Sequence, residues 1–182
     1  MKCNLHILGC LTVALLASFS CQNAKDLKTI ESILDSKPDS ALVMLESINT
    51  SDLKSKEELA RHALLLSTAL DKNRIDLETD SIISIAVDYY TNKKVCPYRM
   101  KTWYYQGRIQ SNRGDYSAAI ISFEKAERDA LVLEDNYYLG LIYREKSSVY
   151  NYWSNSSAAI HYSKQAYSAF KRAGKDVHAA YS

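Results

Sequence analysis

From residue 25 onward, apolar positions recur at the interval that places side chains on one face of a helix. The pattern predicts helices over 25–35, 38–48, 56–72, 79–91, 97–113, 116–133, 136–153 and 156–173. Lys37-Pro38, Asn49 to Ser55, Lys72 to Glu78, Asn92 to Pro97 and Arg113-Gly114 interrupt it. Ser, Asp or Thr stands at most starts, where a side-chain oxygen caps free backbone N–H groups, and Gly174 follows the last full helix at a usual stop position. Five Gly and two Pro in 182 residues argue against an all-β fold and against long flexible linkers.

Aligning every second helix exposes an internal repeat. The segments start Asp39-Ser40-Ala41-Leu42, Asp80-Ser81-Ile82-Ile83, Ser117-Ala118-Ala119-Ile120 and Ser157-Ala158-Ala159-Ile160, so the interval between starts is nearly constant. One unit carries a full packing set. Trp103, Gly107, Tyr116, Ala119, Phe123 and Ala126, with Gly114 at the turn, alternate large and small residues so that two antiparallel helices can approach closely. In the next unit Tyr143 stands for Trp103, Ser147 for Gly107, Ser156 for Tyr116 and Ser163 for Phe123, while Ala158, Ala159 and Ala166 are kept.

The stretch from Trp103 to Ala126 resembles the tetratricopeptide repeat, a helix-turn-helix unit of about 34 residues. The resemblance implies an all-α fold of antiparallel helical hairpins stacked as a short right-handed solenoid, with longer units than usual. It divides the chain into 22–92, degenerate N-terminal hairpins; 93–174, two units at 97–133 and 136–173; and 175–182, the start of a further repeat without its second helix. The whole layout is similar to tetratricopeptide-repeat lipoproteins of the Bacteroidota, through Pro38 to Leu42, Ala69 to Asn73 and Ala86 to Tyr90. Members of that group are often longer, so the chain is expected to be a fragment, a truncated product, or a protein whose last face a partner covers.

Residues 1–21 read as an export signal. Lys2 supplies a positive end, and Leu5 to Phe19 is apolar apart from His6, Thr12 and Ser18, too short to span a membrane. The segment ends Ala17-Ser18-Phe19-Ser20-Cys21, which resembles the box of bacterial lipoproteins, although Ser18 stands where that box usually has Leu. The resemblance makes Cys21 the lipidated residue. It places the chain in the cell envelope, facing the periplasm or the outer surface. Cys3, Cys10 and Cys21 fall in this segment, so Cys96 is alone in the remainder and has no disulfide partner there.

Little in the sequence suggests catalysis. His62, His161 and His178 lack a second ligand at metal spacing, and there is no Gly-rich phosphate loop or nucleophile elbow. The cluster Asp76, Glu78 and Asp80 lacks the glycine and distal Glu of a calcium loop and reads as a solvated cap. No enzyme activity, metal or cofactor is expected. The formal net charge of +2 gives no call for nucleic acid. The local basic run Lys93, Lys94, Arg99, Lys101, Arg108 and Arg113 suits an acidic peptide, a carboxylate terminus or an anionic head group, or else a solvated helix face.

Helix register supplies a binding-site expectation. With Trp103, Gly107 and Gln110 turned to the partner helix, Tyr104, Arg108, Ser111 and Asn112 share another face. The resemblance makes that face the concave peptide groove and carries it to Arg144, Ser148, Asn151 and Tyr152. The function expected is a non-enzymatic scaffold that holds a protein or peptide. Two alternatives remain open, the sensor region of a longer membrane-anchored regulator, and a structural module that self-associates through its uncapped C-terminal repeat.

Overall fold

The structure, a computed structural model, describes residues 26–180; residues 1–25, including Cys21 and the expected export signal, and residues 181–182 lie outside it. Every regular element among the described residues is helical: α1 (26–33), α2 (Pro38–Glu46), a 3-10 turn (Thr50–Asp52), α3 (Lys56–Lys72), α4 (Ser81–Tyr90), α5 (Pro97–Asn112), α6 (Tyr116–Val132), α7 (Asn136–Tyr152), α8 (Ser156–Arg172) and α9 (Asp176–Ala180). Helices α1 to α8 match the eight expected from the sequence, with small differences at their ends. Two compact units divide after Arg74, so α4 lies in the same unit as α5.

The first unit is built on α2 packed against α3. Leu27, Ile30, Ala41, Leu45, Ala60 and Leu64 are its sealed core. Helix α3 starts on a capping box, in which the Ser55 hydroxyl accepts from the Glu58 amide and the Glu58 carboxylate accepts from the amides of Lys54 and Ser55. Buried His62 meets the Leu45 carbonyl at 2.9 Å, and the Asn73 side-chain amide donates to the Pro38 carbonyl. Arg61 pairs with Glu31, joining α3 to α1.

In the second unit each helix from α4 to α9 packs on the next, and α5 also touches α7. Three residues separate each pair from α5 onward, which forces antiparallel neighbours. The junctions share one geometry. Gly114, Glu134, Ser154 and Gly174 adopt positive φ of 80, 54, 56 and 66°. The following residues, Asp115, Asp135, Asn155 and Lys175, donate their amides back to the carbonyls of Gln110, Ala130, Tyr150 and Phe170. This is the Schellman closure of a helix end. The side chains of Asp115, Asp135 and Asn155 then accept from the amides of Ala118, Tyr138 and Ala158, starting the next helix. The turn therefore recurs at a constant interval, and the hairpin at twice that interval.

Glycines allow the tightest helix contacts. A Cβ on Gly107 would lie 2.6 Å from the Phe123 ring, and one on Gly140 would lie 2.5 Å from the Phe170 ring. Both rings are fully buried.

Two outcomes follow for equilibrium urea unfolding. Ser154→Gly removes a left-handed side-chain residue and is expected to raise stability by up to about 1 kcal/mol, with Gly114→Ala costing about the same. Gly107→Ala drives a methyl into the Phe123 ring and is expected to cost about 1–3 kcal/mol.

Candidate functional site

The residues expected to line a groove separate into four places. Tyr104 is 3% exposed, with its ring against those of Tyr105, Tyr138 and Phe123 at centroid distances of 5.0, 5.5 and 6.2 Å. It is a packing residue and offers no wall to a ligand. The reason is that α5 meets α7 as well as α6, so the face assigned to the groove is partly covered by the next hairpin.

Arg108 lies on the same seam, where its Nη1 donates to Glu145 Oε2 at 2.7 Å. Glu145 is 7% exposed, and Arg144 Nη2 lies 3.6 Å from its other oxygen. One buried carboxylate thus meets guanidiniums from both α5 and α7 at a half-buried rim. The Lys101 ammonium lies 5.7 Å from the Tyr138 ring centroid.

Ser111 is half-buried and Asn112 exposed at the end of α5. The Asn112 side-chain amide donates to Asp76 Oδ1 at 2.5 Å, and Arg113 lies 3.7 Å from Asp80. Two acids of the Asp76–Asp80 loop therefore hold that loop to the C-terminal end of α5. Asp80 occupies the position before α4 without a side-chain cap bond.

Ser148 and Asn151, both exposed, line an open recess of about 410 Å³ between α7 and α8, with Ser147, Ala159, Ile160, Ser163 and Lys164. Tyr152 is 66% exposed and its ring lies 4.1 Å from that of Tyr116. Tyr116, expected as a packing residue, is only half-buried, with its ring against Tyr152 at the end of α7. Trp103, Gly107, Ala119, Phe123, Ala126, Tyr143, Ala159 and Ala166 are buried.

Residues outside the sequence reading also matter. Glu145 is one. Lys146 is another: it is 3% exposed, and its ammonium donates to Glu127 Oε2 at 2.8 Å and lies 4.4 Å from the Tyr162 ring centroid. Burial works against the ammonium, but the Glu127 hydrogen bond and charge outweigh it, so the Lys146 pKa is raised. Burial, and then Glu127, push the Tyr143 phenol up to about 12. The sequence carries no local signal for these buried charges, since Arg144 to Ser148 is a polar stretch.

A second recess of about 380 Å³ lies between α5, α6 and the segment after α4, lined by Thr91, Val95, Arg99, Trp103, Lys125, Arg128, Asp129 and Val132. Arg99 grips buried Asp129 through two bonds of 2.7 and 2.5 Å, and that grip raises the Arg99 pKa. The Lys125 ammonium sits 4.0 Å over the Trp103 ring. Part of the basic run thus serves to hold α5 to α6.

Among the described residues no group of three or more His, Cys, Asp or Glu side chains could hold a metal ion. No helix among them is long and apolar enough to cross a membrane.

No family model matches the chain, and no solved structure does. Among curated proteins it is similar to response regulator aspartate phosphatase E of Bacillus subtilis (strain 168), with 28% identity over 121 residues. The match takes in 62% of this chain and 30% of the relative, so the chain spans about a third of that protein's length.

The alkaline behaviour of Tyr143 is testable. A free tyrosine titrates near pH 10, so the folded chain holds this proton more tightly than the unfolded one. The resulting stabilisation is complete below about pH 10 and is lost as pH rises towards about 12. Over that window the urea midpoint of the wild type is expected to fall more steeply than that of Tyr143→Phe.

Proposed function

We propose that the chain is a non-enzymatic helical-repeat scaffold that binds a protein or peptide, held in the bacterial cell envelope by lipid on Cys21. The observation that carries the binding reading is the open polar recess between α7 and α8, where exposed Ser148, Asn151 and Lys164 lie together. That arrangement presents an ammonium, hydroxyls and a side-chain amide, suited to a carboxylate or to peptide backbone. The curated relative, by its name, acts on response regulators, and this supports a protein as the partner. The lipid anchor rests on the apolar segment and the small residues before Cys21.

The relative's name also carries a phosphatase activity, which supports a second reading as part of a signalling regulator. The two separate on one assay. A scaffold leaves the lifetime of a phosphorylated receiver domain unchanged at stoichiometric protein, whereas a phosphatase shortens it.

Two cellular outcomes test the proposal. Growth with an alkyne-tagged fatty acid is expected to label the wild-type protein and leave Cys21→Ser unlabelled; equal labelling of both would remove the anchor. A photo-crosslinking residue at Tyr152 is expected to trap one discrete partner, with yield reduced several-fold by Ser148→Asp/Asn151→Ala. Unchanged yield in that variant would move the binding surface elsewhere.

A further inference from the structure

Helix α6 carries Ile121, Lys125, Arg128 and Val132 in one line, each a helical turn from the next. Ile121 is 56% exposed and Val132 68%, so the line has apolar ends and two cations between them. From end to end it runs about 16 Å along the helix. Its lower half, from Lys125 to Val132, lines the recess of about 380 Å³ between α5, α6 and the segment after α4.

The charges of that recess do not balance. Its one acid, Asp129, is buried and has both oxygens committed to Arg99, at 2.7 and 2.5 Å. Among the described residues Lys125 and Arg128 make no ion pair. The Lys125 ammonium is held 4.0 Å over the ring of nearly buried Trp103, which fixes it at the recess wall, and Arg128 is exposed. Two positive charges are left beside walls that Val95 and Val132 make apolar. An occupant that suits this lining brings negative charge for the cations and aliphatic surface for the valines. A carboxylate matches the fork of an arginine and accepts from an ammonium as well. Because Ile121 continues the line outside the recess, a ligand that covers the whole line extends beyond the recess, as a polypeptide does and a free anion does not.

We infer that this recess receives an acidic segment of a partner protein, with a glutamate or aspartate side chain between Lys125 and Arg128 and an aliphatic neighbour on Val132. The surface shares no residue with the α7/α8 recess. It goes beyond the scaffold reading given above, and its failure would leave that reading to the Tyr152 crosslink.

Trp103 is one of two tryptophans, so Trp153→Phe makes it the single reporter at the recess. The full chain with that substitution is titrated with capped Leu-Glu-Glu-Leu and Leu-Gln-Gln-Leu, calorimetry giving the affinity and tryptophan emission the location. The glutamate peptide is expected to bind saturably, to change Trp103 emission in parallel, and to bind at least ten-fold more tightly than the glutamine peptide. Lys125→Gln/Arg128→Gln is expected to weaken it at least ten-fold. Arg128→Gln alone and Val132→Asn alone, both at exposed positions, are expected to weaken it at least three-fold with an unchanged urea midpoint, which guards against misfolding of the double variant. Equal affinity for the two peptides, undiminished binding by the variants, binding without a change at Trp103, or no binding would each overturn the inference. Saturation of the same emission change by inorganic phosphate at the peptide's concentration would reassign the recess to small anions and overturn the protein partner as well.

Discussion

The second unit depends on a three-residue reversal that closes one helix and opens the next. One residue in the left-handed conformation lets the following amide reach back across the helix end, and that same following residue caps the helix to come at three of the four junctions. Helices α6, α7 and α8 are all of one length, so these reversals come at a fixed interval along the chain. Because the reversal leaves no slack, adjacent helices must lie side by side. The side chains between them have to suit that approach, which is why glycine and alanine recur on the facing surfaces.

Close approach has electrostatic effects as well as steric ones. Carboxylates that face water in an isolated helix are pressed against neighbours, and each of the buried acids Asp129 and Glu145 has a guanidinium bonded to it. Removing one partner from such a pair leaves a charge in a poorly solvating place, so these contacts fix which helix lies against which more than they add net stability. Lys146 shows the same logic with the sign reversed. Its ammonium survives burial only because Glu127 and the Tyr162 ring face lie against it.

The helices and their period are legible because they are written in local chemistry. Pro38, Pro97, Ser55, Asp115 and Asp135 mark starts, and Gly114 and Gly174 mark stops. The left-handed turns at Glu134 and Ser154 are hidden, since neither residue type advertises that conformation. The site is only partly legible. Helix register places Tyr104 and Arg108 on one face correctly, but it takes no account of a second neighbour, and α7 buries the first and binds the second. Glu145 and Lys146 escape a local reading because their partners, Arg108 and Glu127, lie 37 and 19 residues away. The substitution of Ser163 for Phe123 can be read in the sequence.

The recurring turn has a consequence for how such a chain can change over generations. Backbone geometry at 114, 134, 154 and 174 does not distinguish the first helix of a pair from the second; only the side chains between the turns do. A duplicated or deleted DNA segment encoding one whole hairpin therefore joins at equivalent turns and preserves the alternation of helix types. One encoding a single helix with its turn would join equally well, yet it would place two helices of the same type in contact, ring against ring and glycine against glycine. Packing between the turns, rather than the turns themselves, thus favours lengthening of this unit by whole pairs.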